Sequence, residues 1–183
     1  MKKTSYGEAI PVRAASPISL TTMVQAAMIA AIYVVLTFVA NAFGLANHAV
    51  QVRFSEALTI LPYFTPAAIP GLFLGCLLSN LLTGCALPDI IFGSLATLLG
   101  AFGTYALRKW KWCAPLCPIA ANTVIVPLIL LYGYGLMIDG MSPLQCFGYY
   151  CLTVGAGEVV SCGILGMILL FSLQKYQGRI FQR

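Results

Sequence analysis

The chain has 183 residues, of which 60% are hydrophobic and only 8% charged, with a mean hydropathy of +0.92. A soluble domain carries about 25% charged residues, so this chain cannot cover a water-facing surface. A soluble enzyme, a nucleic-acid-binding domain and a disordered segment are excluded. At roughly 20 residues per span, the composition predicts an all-α integral membrane bundle.

Residues 1–19 are polar and mixed, a tail carrying Lys2, Lys3, Glu8 and Arg13. An uncharged run follows from Leu20 to about Phe43. Ala40-Asn41-Ala42 resembles a leader cleavage site, but the run exceeds the roughly 7–15 apolar residues of a signal sequence, so a retained helix is expected. Gln51 to Pro62 reads as a short second helix that opens with Arg53 and Glu56. The third helix is expected from about Ala67 to Leu82 and the fourth from Asp89 to Leu107, after Pro88. Arg108-Lys109-Trp110-Lys111-Trp112 is a cationic, aromatic break. The fifth helix runs from about Leu116 to Leu136 with Pro127 inside it, a position that withholds one backbone donor and kinks the helix. The sixth runs from about Gln145 to Leu173, and residues 175–183 form a basic tail.

Six transmembrane helices put both termini on one side, with residues 20–174 as the membrane domain. With that side cytoplasmic, Lys2, Lys3, Arg13, Arg108, Lys109, Lys111, Lys175, Arg179 and Arg183 all lie inside, leaving Arg53 alone of the ten basic residues. This is the positive-inside pattern of a multi-pass membrane protein. The basic excess is then a topology and lipid-headgroup feature, and no nucleic-acid partner is expected.

Charged and amide groups in or beside spans are costly and mark function. Glu158 sits mid-span between glycines in Gly155-Ala156-Gly157-Glu158; it reads as a ligand contact or as the partner of Arg53. Arg53 and Glu56, three apart, share a helix face and either pair with each other or line a pocket. Asp89 opens the fourth helix, where a carboxylate is favourable in itself. Asn80, Asn122 and Gln51 are amides that need partners, as helix–helix glue or as pocket groups. Tyr132, Tyr134, Tyr149 and Tyr150 cluster near the same outer ends, as an interfacial belt or as a stacking surface for a flat, nitrogen-rich ligand. Ala26, Ala27, Ala30 and Ala31 make overlapping small-xxx-small steps, used inside the bundle or for docking another membrane protein.

Cys76, Cys151 and Cys162 lie in apolar runs and read as small hydrophobes. An odd count of seven cysteines with a single histidine, His48, argues against a metal site. No Walker motif, HExxH or nucleophile–base constellation occurs, so no catalytic residues are expected and any ATP must be used elsewhere.

Residues 50–84, VQVRFSEALTILPYFTPAAIPGLFLGCLLSNLLTG, and 88–108, PDIIFGSLATLLGAFGTYALR, resemble the QueT family of queuosine precursor transporters. Asn122 to Pro127 and Gly155 to Glu158 look like its later motifs. The resemblance implies a substrate-binding S-component of an energy-coupling factor (ECF) transporter in a bacterial cell membrane. It implies capture of a queuosine precursor, aminomethyl-deazaguanine or a related deazapurine, from outside. It further implies docking, through the alanine face, on a transmembrane coupling subunit (EcfT) with two ATPase subunits, which use the ATP; no cofactor or metal is implied in this chain. The polar groups singled out above, Glu158, Arg53, Glu56, Asp89, Asn122, Asn80 and Gln51, are the candidate substrate contacts, with Glu158 for the guanine-like N–H pair and a second acid for the amine. A stand-alone transporter coupled to protons through Glu158, or an S-component for another vitamin-like heterocycle, are the competing readings.

Overall fold

The computed structural model describes residues 19–44 and 52–180. The chain there is helical. Its elements are α1 (Leu20–Ala42), a 3₁₀ helix (Phe54–Tyr63), α2 (Ala68–Leu82), α3 (Asp89–Ala106), α4 (Leu116–Gly133) and α5 (Pro143–Gln174), with a short turn of helix at Gln177–Ile180. Four of these, α1, α3, α4 and α5, are long and apolar enough to cross a membrane. The large side chains they turn outward, among them Met28, Val35, Leu99, Leu152 and Ile168, are exposed and apolar. In water such a surface would aggregate; in lipid it is the solvated face.

Of the six expected helices, four are long and apolar enough to cross a membrane, and the second and third are shorter. At about 2.0 Å per residue, the ten-residue 3₁₀ helix covers about 20 Å, and the 15 residues of α2 at about 1.5 Å each cover little more. Both fall short of a hydrocarbon core of about 30 Å. The second segment survives because it is wrapped by protein: Ser55 to Pro62 are all buried. Irregular helix at membrane depth is tolerated when neighbours satisfy its backbone.

The chain still passes through the bundle six times. Thr37 of α1 bonds Ser55 at the start of the 3₁₀ helix, and Thr65 just beyond its end bonds Gln25, near the start of α1. The 3₁₀ helix therefore runs antiparallel to α1. Helix α2 then runs parallel to α1, because Gly71 meets Ala26 and Gly75 meets Ala30. A Cβ on Gly71 would lie 2.7 Å from the Ala26 carbonyl oxygen, and one on Gly75 would lie 2.7 Å from Tyr33 Cβ. The two backbones touch, as small-residue helix pairs do. Helix α3 descends past Cys76, which accepts from Thr97, and Thr104 at its lower end bonds the Ala114 carbonyl. Helix α4 rises from there, and α5 descends to bring Phe171 against Trp112. Leu20 and Gln174 thus lie at one end of the bundle, together with the Arg108–Trp112 break.

Local sequence explains the helix ends. Ser142 and Gln145 form a reciprocal capping box with Pro143 in the first turn, so α5 begins two residues before the expected Gln145. Helix α4 ends at Gly133 rather than near Leu136, its last turn being a widened π turn at Ile129–Gly133 that follows Pro127. The core is apolar near the Leu20 end, where Leu58, Leu61, Leu72 and Ala101 pack around Tyr33 and Cys76.

Candidate functional site

Polar groups gather away from that apolar end, in two adjoining places. The first is a cavity of about 500 Å³ between the ends of α1, α2, α3 and α4 away from Leu20. Its polar lining includes Arg53, Asn80, Asp89, Thr37, Asn41 and Tyr134. Three of the expected site residues, Arg53, Asn80 and Asp89, therefore meet there.

Each is held by its neighbours. The Arg53 backbone N–H donates to Ser161 Oγ at 3.1 Å, tying the entry of the 3₁₀ helix to α5. Asn80 Nδ2 donates to the Asp89 carbonyl at 3.2 Å, joining α2 to the first turn of α3. Tyr134 Oη accepts from the Ala86 N–H at 3.0 Å and donates to Asp89 Oδ2 at 3.3 Å. Asp89 Oδ1 is buried and has no hydrogen-bond partner among the described residues. Among the described residues no cationic nitrogen lies within 4.0 Å of a carboxylate oxygen. Arg53 is thus neither paired with Glu56 nor with Glu158, although Asp89 heads the acidic groups whose field it feels.

The second place is a buried acidic cluster one helical turn from the cavity: Glu56 follows Arg53, and Asn122 precedes the cavity residue Val126. Glu56 is 1% exposed and Glu158 5%. Tyr33 Oη donates to Glu56 Oε1, and Asn122 Nδ2 to Glu56 Oε2 at 3.3 Å. Cys162 Sγ lies 3.1 Å from Glu158 Oε2, and Thr59 Oγ1 donates back to the Glu56 carbonyl at 2.6 Å. The carboxylates of Glu56 and Glu158 and the Cys162 sulfur all fall within 4.8 Å of one another, a donor set of the size a metal ion takes. Its members are, however, occupied by protein donors. Glu56, Asn122 and Glu158 are therefore brought together, but in the wall behind the cavity.

The remaining expected residues separate. Gln51 and His48 lie outside the described residues. Ala26 and Ala30 face α2, whereas Ala27 and Ala31 point outward from α1. Of the outer tyrosines, Tyr134 joins the cavity, Tyr132 is 79% exposed, and Tyr149 and Tyr150 stack edge-on with each other. The sequence reading missed Tyr33, Thr37 and Cys162. A tyrosine and a threonine one turn apart inside the uncharged α1 run were the available signal for the first two. Cys162, read as a small hydrophobe, has its own signal in standing four residues after Glu158.

Three π turns lie around these groups, at Asp89–Gly93, Ile129–Gly133 and Val159–Leu165. Such turns offset a helix's side-chain register and are frequent at functional sites. Here they carry Asp89, precede Tyr134 and follow Glu158. Among the described residues the cavity offers one cation, one anion, amides and hydroxyls to a small ligand, in the volume range of small-molecule sites.

The protein family described as QueT transporter matches the chain over residues 23–175. The queuosine precursor transporter QueT of Lactococcus lactis subsp. cremoris (strain MG1363) is 34% identical over 77 residues, 42% of this chain and 45% of that protein. The aligned stretch thus spans less than half of that relative. No solved structure matches the chain.

Proposed function

The chain belongs to the QueT transporter family, and on that premise we propose that it is the substrate-binding membrane subunit of an ECF-type importer. It captures a queuosine precursor, aminomethyl-deazaguanine or a related deazapurine, from outside and releases it inside. The observation that carries this reading is the 500 Å³ cavity at the end of the bundle away from the Arg108–Trp112 break, with Arg53, Asp89 and Asn80 in its lining. Positive charge favours the cytoplasmic side, so the cavity opens outward. Carboxylates and amides complement the N–H groups of a guanine-like ring. Glu56, Asn122 and Glu158 support the cavity from behind, and Gln51, two residues before Arg53 in sequence, is a further candidate contact.

The energy comes from outside this chain. A transmembrane coupling subunit and two ATPases hydrolyse the ATP, and this chain needs no cofactor. The docking face on α1 is the outward pair Ala27 and Ala31, since Ala26 and Ala30 are engaged with α2. The basic break and carboxyl-terminal lysine face the cytoplasm and its anionic headgroups, and both termini are cytoplasmic.

Equilibrium binding of aminomethyl-deazaguanine to the purified chain in detergent tests this, with guanine and thiamine as competitors. Tight binding that thiamine does not displace is expected. An intact, monodisperse protein that binds none of them would overturn the substrate class. The closeness of Glu56 and Glu158 favours one second reading, a stand-alone proton-coupled transporter. Uptake by proteoliposomes holding this chain alone, driven by a pH gradient, would establish it; no uptake is expected.

A further inference from the structure

We propose that Arg53 and Asp89 form a split charge pair that reads one edge of a neutral heterocycle, a carbonyl acceptor beside N–H donors, with Tyr134 positioning Asp89. This deepens the proposed function and rests on the cavity being the deazapurine site.

Charge balance comes first. Arg53 and Asp89 are the charged residues of the lining among the described residues, and they sum to zero. They face one 500 Å³ space without forming a salt bridge. Two opposite charges that share a low-dielectric space attract strongly, so a ligand that enters must satisfy both. A neutral edge with an acceptor for the guanidinium and donors for the carboxylate does so without placing a further charge between the two. A ligand ammonium taken by Asp89 would leave Arg53 unmatched.

Asp89 is built for this role. It is 6% exposed, yet among the described residues Oδ1 has no partner, which a buried acceptor rarely tolerates. Oδ2 takes one hydrogen bond from Tyr134, whose hydroxyl is itself fixed by the Ala86 N–H. The carboxylate is thus held through one oxygen and left unsatisfied at the other. Oδ1 rests in the space over Gly93, where a Cβ would approach it to 2.8 Å. Asp89 lines the cavity, so Oδ1 is left to accept from a donor that enters it. Glu56 and Glu158, by contrast, have their oxygens answered by Tyr33, Asn122 and Cys162 and do not line the cavity.

The test compares three ligands on the purified chain: aminomethyl-deazaguanine, cyano-deazaguanine, which is neutral at the same substituent, and aminomethyl-deazaadenine, which lacks the lactam edge. The expected result is that the two guanine-edged ligands bind within about 10-fold of each other and the adenine-edged one binds far more weakly. Asp89→Asn, which preserves shape, should weaken both guanine-edged ligands by the same factor, roughly 10–100-fold for a lost charged hydrogen bond. Tyr134→Phe should cost both about 3–10-fold and cost nothing further in the Asp89→Asn background. A loss confined to the aminomethyl ligand would overturn the inference, because Asp89 would then hold the ammonium. No loss on either ligand would overturn it as well, while leaving the cavity as the site. Failure of the unmutated protein to bind any of the three would remove the functional reading beneath it.

Discussion

At the scale of single residues, the buried acids divide by what answers them. Glu56 is enclosed, and its oxygens are taken by Tyr33 and Asn122. Tyr33→Phe deletes one donor and leaves a buried carboxylate oxygen unsatisfied, which costs about 1–3 kcal/mol. Thermal unfolding in detergent should show the loss, with substrate affinity changed far less. Arg53 is the opposite case. Its backbone is anchored to Ser161 while its side chain lines the cavity. Arg53→Gln should therefore leave the unfolding temperature nearly unchanged and weaken ligand binding by roughly 10-fold or more, for loss of a charged donor. Sequence alone identified these charges as exceptional, because a charge in an apolar run is rare enough to demand a partner. It could not sort them. Whether a carboxylate meets a tyrosine or a cavity depends on which helix lies opposite, and that is not encoded within four residues of it.

At the scale of elements, the decisive contact is α1 on α2. Gly71 and Gly75 lie against Ala26 and Ala30 with no room for a Cβ. Gly75→Leu must push the helices apart, and overpacking of this kind costs about 1–3 kcal/mol or more. Loss of the monodisperse folded protein, or a large fall in its unfolding temperature, is the expected result; Ala27→Leu on the outward side of α1 should leave both unchanged. The alanine steps were legible in the sequence, but their direction was not. Two overlapping i, i+4 pairs differ by one residue, about 100° around a helix, so one pair faces in and the other out. The 3₁₀ helix was less legible. Its span ending at Pro62 was readable, but its tight winding and burial come from the surrounding helices, since 3₁₀ runs beyond three or four residues are uncommon on their own. The capping box that starts α5 at Pro143 is local chemistry, legible in Ser142-Pro143-Leu144-Gln145.

At the scale of the whole molecule, six passes place the cavity and the basic break at opposite ends. Two cysteines report on that. Cys85 lines the cavity, Cys113 follows the basic break, and both are partly exposed. In intact cells an impermeant maleimide should modify Cys85 and spare Cys113, and bound aminomethyl-deazaguanine should protect Cys85. Labelling of Cys113 alone would invert the topology and turn the cavity inward. The membrane class, the approximate helix limits and the even number of passes follow from the sequence by itself, because hydropathy and charge asymmetry are sums over local stretches that lipid and water read directly. The parting of Arg53 and Asp89 from Glu56 and Glu158 was decided only by tertiary structure. Those four residues come from three segments, and the side on which each one finds its partner depends on helix rotation and on π turns that shift the register by a fraction of a turn.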